Sequence, residues 1–416
     1  MAVDTSAHRT PTGRKAPERR LLGLLGPAFV AAIAYVDPGN VAANLSAGAE
    51  YGYLLVWVLV VANLIAVVIQ YLSAKLGLVT GHSLSELLGQ RLGRPARVLY
   101  WLQAELVAAA TDVAEVIGGA LALHILFGCP LVLGGVVVGL ASMIILAVQS
   151  RRGQRAFEYV LIALLAVIAV GFMAGLFFSS WDPGAALAGI VPRLQGSGSL
   201  LLAASMLGAT VMPHAIYLHS ALARDRHGSG NRPERLVQLL RATRWDVALA
   251  LVVAGSVNIA MLLLAAASLP GVAGTDTIQG AHAAISHALG PAIGAIFGVG
   301  LLASGLASTS VGSYAGAEIM AGLLRIRVPL LVRRAVTVLP AVILLAIGVD
   351  PTRALVLSQV LLSLGIPFVV IPLVWLTARH QLMGMFANGI ALRVTGIVVT
   401  TAVVTLNLVL LVLAVT

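Results

Sequence analysis

The sequence has little charge and almost no cysteine. Charged residues make up 10% of its 416 positions and hydrophobic ones 59%, with a mean hydropathy of +1.00. A soluble domain carries about 25% charged residues, so this composition excludes one: too little polar surface remains to keep it dispersed. The single cysteine, Cys129, excludes an intramolecular disulfide framework and any cysteine-based metal cluster. Acids are scarcer than bases, 16 Asp+Glu against 26 Lys+Arg, giving a formal net charge of +10. In a soluble protein that excess would point to nucleic acid. Here the basic residues sit between apolar runs, where they set membrane topology, and no nucleic-acid partner is expected. A His-Glu-x-x-His motif is missing, and no nucleophile or cofactor motif stands out. An enzyme is therefore not expected, nor a cofactor.

What the chain does have is long apolar runs along its whole length, and about 20 apolar residues span a bilayer. Apolar windows bounded by charge and Gly/Pro clusters predict an all-α integral membrane protein of eleven helices. Their approximate limits are 21–48, 52–79, 97–126, 130–150, 156–179, 199–223, 245–269, 282–322, 329–348, 353–378 and 391–415. The eighth is too long for one simple span, so its end should emerge from the membrane. Residues 1–20, with Arg9, Arg14, Lys15, Arg19 and Arg20 among Pro, Ser, Thr and Gly, read as a short disordered cytoplasmic tail. Together with Leu21–Ala34 they also resemble a signal peptide, but cleavage after Ala34 would discard Asp37–Asn40. Residues 21–416 then form one transmembrane domain. The longest loop, 224–244, spans about twenty residues, so function must lie inside the bundle.

Loop charge fixes an expected orientation. Arg91, Arg94 and Arg97; Arg151, Arg152 and Arg155; Arg224, Arg226, Arg232, Arg235, Arg241 and Arg244; Arg325, Arg327, Arg333 and Arg334; Arg379 and Arg393 all fall on the tail's side. Only Arg193 and Arg353 fall opposite, and Lys75 can snorkel from the inner end of its helix. The positive-inside rule places the N-terminus in the cytoplasm and the C-terminus outside.

Polar residues in the spans cost most and so say most. Asp37 lies mid-span in Asp37-Pro38-Gly39-Asn40. Pro38 removes a backbone donor and disfavours helix at the residue before it, and Gly39 adds freedom, so the first helix should break there. Pro213 should break the sixth span between Met212 and His214. Broken helices in corresponding positions of two halves point to an inverted-repeat transporter with its site at the membrane midplane. Asp37 and Asn40 offer oxygen, Met212 a thioether and the broken segments free carbonyls near Ala34 and Ala209. A thioether favours softer ions such as Mn2+ or Cd2+ over Mg2+ and Ca2+. Against this, a transmembrane Met is often core filler and a lone Pro often only a kink. The residues alone leave a metal ion, an organic cation and an amino acid all open as cargo.

The third helix carries Glu105, Asp112 and Glu115 on roughly one face, with Arg333 and Arg334 of the ninth segment as partners. This reads as a proton route through buried carboxylates or as a static salt-bridge network locking the packing. His214 and His219 are proton-carrier candidates or packing residues, and His214, beside the break, is the stronger.

Asp37-Pro38-Gly39-Asn40 in the first span and Met212-Pro213-His214 in the sixth resemble the signatures of the Nramp family of proton-coupled divalent-metal transporters. The likeness extends to Gln70, to Glu105–Glu115, to Leu357-Ser358-Gln359 and to Gly365-Ile366-Pro367-Phe368. It implies a LeuT-type fold: inverted repeats over about 21–179 and 199–378, and an extra helix at about 391–415. It implies that Asp37, Asn40 and Met212 hold the metal. The carbonyls of Ala34 and Ala209 would join in some conformations, and Gln359 as the site closes. Proton transfer would involve Asp37, His214, Asp112 and Glu115, with Glu105, Arg333 and Arg334 nearby, and Gln70 and His219 would lie around the metal ligands. Relatives that carry Mg2+ or Al3+ lack the methionine, so Met212 implies a bacterial importer of transition metals in the inner membrane. Divalent cation, proton and lipid bilayer are then the expected partners, with no obligate protein partner. A sodium-coupled amino-acid transporter would share the fold but would present free amides to its substrate's carboxylate instead of a fixed Asp. A passive channel would not need paired broken helices.

Overall fold

The computed structural model describes residues 26–228, 230, 232–275 and 277–415, so the expected tail and the first residues of the first span lie outside it. The described residues are helical, with no strand among them. The first span is α1 (Pro27–Ile33), a single 3-10 turn (Ala34–Val36) and α2 (Pro38–Tyr51). Then come α3 (Val56–Thr80), the short α4 (Leu84–Arg91), α5 (Arg94–Phe127), α6 (Leu131–Arg152), α7 (Gln154–Phe178) and the short α8 (Pro183–Ala188). The sixth span is α9 (Gly196–Thr210) followed by α10 (Pro213–His227). The rest is α11 (Pro233–Ser268), α12 (Ile278–Leu289), α13 (Pro291–Leu324), α14 (Leu330–Ala346), α15 (Pro351–Ala378), α16 (His380–Met383) with a 3-10 turn over Gly384–Phe386, and α17 (Ile390–Val415).

Nine helical stretches among the described residues, with α9 and α10 taken together, are long and apolar enough to cross a membrane. The first and ninth expected spans are not among them: one is divided between α1 and α2, and the other, α14, has 17 residues. Two expectations need correction. The eighth segment is two helices, because Gly290 at φ 97° ends α12 and Pro291 starts α13. The expected 224–244 loop shrinks to the short link between His227 and Pro233: α10 continues to His227 and α11 begins at Pro233, a residue suited to a first helical turn.

Burial sorts the helices into centre and rim. The most apolar window through α9 and α10 is 89% buried, against 22% in α17. The broken helices therefore form the centre of the bundle, and α17 lies outside it. Leu64, Leu106, Ile144, Val170 and Phe177 are exposed on the outer helix faces, as lipid-facing side chains are.

Candidate functional site

The two breaks meet in the interior. Asp37 has extended backbone (φ −71°, ψ 167°), and its carboxylate caps α2 by accepting from the Asn40 backbone N–H. Met212 is likewise extended (φ −75°, ψ 121°) ahead of Pro213. The C-terminal ends of α1, through its 3-10 turn, and of α9 thus face the same space, and their carbonyls carry partial negative charge that favours a cation.

Asn40 ties the two breaks together. Its Nδ2 donates to Asp37 Oδ1 at 2.7 Å and to the Ala209 carbonyl at 2.9 Å, and its backbone N–H reaches the same Asp37 oxygen at 2.8 Å. Gln359 of α15 donates from Nε2 to Asp37 Oδ2 at 3.2 Å. Met212 packs with Ala34, Val107, Ala215 and Leu362. Asp37, Asn40, Met212 and Gln359 are each 0% exposed. All of Asp37's donors are neutral, so a buried negative charge stands without a counter-charge, an arrangement that is costly until a cation joins it. Two buried acceptors, Asn40 Oδ1 and Gln359 Oε1, have no donor, as oxygens set to face a cation would. No group of three His, Cys, Asp or Glu residues suited to a metal occurs among the described residues. Any ion here would therefore meet one carboxylate, amides, carbonyls and a thioether. That donor set is too poor in oxygen charge for a dedicated Ca2+ cage and suited to a softer ion.

The unwound carbonyls are otherwise satisfied from the surrounding helices. Asn258 of α11 donates to the Tyr35 carbonyl at 2.7 Å and Ser304 of α13 to that of Val36 at 2.6 Å. The sequence reading missed both. Asn258, an amide within an apolar helix, could have been found by the same cost argument that picked out Asp37. Gln70 bridges Tyr35 and His219: its Nε2 donates to the Tyr35 hydroxyl, and its Oε1 meets His219 Nδ1 at 2.6 Å.

The third-span acids do not all behave alike. Arg333 donates to Glu105 at 2.6 Å. Arg334, 0% exposed, donates to Asp112 and to Ser142, and Thr309 donates to Asp112 at 2.8 Å. Neither oxygen of Glu115 has a hydrogen-bond partner, and neither does either nitrogen of His214. His214 is buried but not joined to the carboxylates.

The two faces of the bundle differ. On the arginine-rich face the α1 N-terminus is clamped: Asp246 of α11 accepts from the backbone N–H groups of Gly26 and Ala28 at 2.9 and 3.0 Å. Beside it Glu158 meets Arg226 at 3.6 Å and Gln154 at 2.8 Å. On the opposite face a cleft of about 790 Å³ opens between α2, α9 and α15, lined by Ser46, Glu50, Leu202, Asp350, Arg353 and Val356 among others. Val356 lies one turn of α15 from Gln359. The cleft therefore points at the site but stops short of it.

Residues 28–413 match the family model described as "Natural resistance-associated macrophage protein-like", Nramp. A protein of Mycobacterium tuberculosis named divalent metal cation transporter MntH is 60% identical over 393 residues, which cover 94% of this chain and 92% of that one. The crystal structure of the Eremococcus coleocola manganese transporter, in complex with an aromatic bis-isothiourea substituted compound, superposes with a TM-score of 0.85 at 30% identity. It covers 95% of this chain and 88% of that one. MhsT in complex with L-phenylalanine, at 16% identity and a TM-score of 0.61 over 95% of this chain and 100% of its own, shares the fold. With its paired breaks, its polar centre and a family match over nearly its whole length, the chain belongs to the Nramp family.

Proposed function

We propose that this chain is a secondary active transporter that imports divalent transition-metal ions by alternating access, coupled to protons. Mn2+ is the leading cargo, and Fe2+, Co2+ and Cd2+ suit the same ligand set. The observation that carries the reading is the buried Asp37 carboxylate, surrounded by neutral donors and by two donor-less oxygens where the broken helices meet. In this reading Asp37, Asn40 and Met212 bind the ion with the carbonyls of Ala34 and Ala209, and Gln359 closes over it. The sulfur discriminates: it adds little for a hard, strongly hydrated ion such as Mg2+ or Ca2+. An amino acid as cargo fits less well, because a fixed Asp37 occupies the place where that cargo's carboxylate would need donors.

Protons move through Asp37, His214, Glu115 and Asp112, with Glu105, Arg333 and Arg334 around the lane. The unpartnered Glu115 and His214 are the groups free to exchange, whereas Asp112 is held by Arg334. The arginine-rich face is cytoplasmic in a bacterial inner membrane, which puts the N-terminus inside and, with eleven spans, the C-terminus outside. The open cleft then faces outward while the clamp on α1 closes the inside. An inside-negative potential favours entry by about 2.3 kcal/mol per charge per 100 mV. Residues 21–416 act as one domain, with repeats of about 21–179 and 199–378 and the extra helix beyond.

The test is Mn2+ uptake into liposomes holding a metal-sensitive dye, under an inside-negative potential, for wild type, Asp37→Ala and Met212→Ala, with Ca2+ or Mg2+ in excess. Saturable uptake that Asp37→Ala abolishes and that loses discrimination against Ca2+ in Met212→Ala is the expected result. Absence of metal uptake, or uptake indifferent to Asp37, would overturn the reading in favour of an organic cargo.

A further inference from the structure

Among the described residues, the helix outside the repeats reaches α15 one turn from Gln359 through a polar side-chain contact. On α17 the buried positions Val399, Val403 and Asn407 recur every four residues, while Ile397, Val398, Leu408 and Val409 on its other faces are exposed. Such a stripe packs one face of a peripheral helix against the bundle. Two of its members are apolar, as expected of a lipid-bathed helix, and the third is an amide, 7% exposed. Both polar atoms of the amide have partners. Its Nδ2 donates to the Val403 carbonyl of its own helix at 3.0 Å, and its Oδ1 lies 3.0 Å from the hydroxyl of Ser363 on α15, which shares its one proton between Asn407 and the Val360 carbonyl of its own helix at 2.8 Å. An apolar residue would fill the same position without the cost of placing an amide in the membrane.

Ser363 is one turn from Gln359 on the same face of α15. The turn between them is weakly held from below. Pro367 lies inside α15 and has no N–H to donate to the Ser363 carbonyl, so the helix ladder is interrupted directly beneath it. The turn is held from the sides instead. α9 presses against it at Gly208, where a Cβ would fall 2.4 Å from the Gln359 carbonyl oxygen and 2.9 Å from Ser363 Cβ. α17 grips it through Asn407.

We propose that Asn407 is a positioning residue for the metal site: through Ser363 it holds the Gln359–Ser363 turn of α15 where the Gln359 side chain reaches Asp37. The inference rests on the metal-site reading above. The eleventh helix thereby helps set the affinity of the site instead of serving only as a lipid-facing rim. Displacing α15 at this turn moves the amide that closes over the ion without touching Asp37, Asn40 or Met212.

The test is Mn2+ uptake into liposomes by Asn407→Leu, by Ser363→Ala and by both together, each repeated in a Gln359→Ala background. Ser363→Ala removes the same bond with the smaller change, so the test survives if Asn407→Leu folds poorly. Each single variant is expected to raise the apparent KM for Mn2+ by about three- to tenfold, the size of one interhelical hydrogen bond, with little change in the maximal rate. The double variant should lose no more than either single one, and neither change should matter once Gln359 is Ala. Additive losses, an undiminished effect in the Gln359→Ala background, or a fall in maximal rate alone would overturn the role of Asn407 while leaving the metal reading intact. If the wild type takes up no metal, that reading falls and the role of Asn407 falls with it.

Discussion

Gln359 fills the space in front of Gly39: a Cβ on that glycine would fall 1.7 Å from Gln359 Nε2 and 2.4 Å from its Cδ. The glycine of the first break is therefore needed for close approach, beyond any backbone freedom it lends. Gly39→Ala would raise intrinsic helix propensity, yet it should push Gln359 off Asp37 and lower Mn2+ uptake at least about tenfold, the scale of losing a buried, charge-assisted hydrogen bond. Gln359→Ala removes the same bond, so adding Gly39→Ala to it should cost little more. Initial uptake rates of the two single variants and the double variant in liposomes check this, and a double variant much worse than Gln359→Ala alone would reject the account that Gly39 acts by making room for Gln359.

Asp246 holds the end of α1 by two backbone bonds at 2.9 and 3.0 Å. α1 has only 7 residues and no side chain of its own at the N-cap, so this carboxylate from α11 substitutes for a local cap. Asp246→Ala should free α1 and favour the state open on the arginine-rich face. The expected readout is faster labelling of a cysteine placed along α1 in a Cys129→Ser background. Asp246→Asn, which keeps one acceptor oxygen, should fall between the two. Stability should drop by about 1–3 kcal/mol in the alanine variant, since two buried N–H groups lose their partner. Unchanged labelling would show that α1 is held by its packing alone.

The breaks were legible in the sequence because proline acts locally: Pro38 and Pro213 each remove a ladder bond whatever surrounds them. Asp37, Asn40 and Met212 were legible for the same reason, lying next to those prolines. What could not be read was anything that depends on distant elements meeting. Asp246 looks like an ordinary acid in a basic stretch until α11 packs on α1, and Ser304 is one small polar residue among several in α13. α4 carries a local signal, the capping box of Ser83 and Glu86, but at 8 residues it is too short to appear among long apolar runs. The 224–244 region was read as loop on its charge, although charged helices extend past the membrane surface freely when a proline such as Pro233 starts them.

Asp112 and Glu115 sit one turn apart but should respond differently to loss of charge. Asp112 accepts from Arg334 and from Thr309, so Asp112→Ala leaves a buried guanidinium unpaired, a change that costs about 3–5 kcal/mol. Glu115 has no hydrogen-bond partner on either oxygen, so Glu115→Gln should leave the melting temperature near that of the wild type. Its effect should fall on proton movement, which a pH-sensitive dye inside the liposomes would record during Mn2+ uptake. Loss of stability in Glu115→Gln with unaltered proton flux would reverse the two roles and favour the static network.

Glu86, outside the spanning helices, supplies a pH control. Burial pushes its carboxyl up, but the Ser83 backbone bond and the Arg224 guanidinium outweigh it, and the group ends below its ordinary value of 4.5. Arg224 meets it at 2.5 Å and also holds Asp225, while His82 lies 3.6 Å away. A depressed carboxyl stabilises the fold above its unfolded value and loses that contribution as the pH falls through its folded value. The tie between α4 and α10 is therefore constant across the neutral range and weakens only in acid. Glu86→Gln should melt somewhat below wild type at pH 7, by an amount worth under about 1 kcal/mol since the pair is part-exposed. The two melting curves should converge once the pH drops below the ordinary carboxylate range. The pH profile of Mn2+ uptake near neutrality should be the same in both proteins, because Glu86 does not titrate there. A profile shifted in Glu86→Gln would mean that the α4 clamp, and not the lane through Glu115, sets the response to protons.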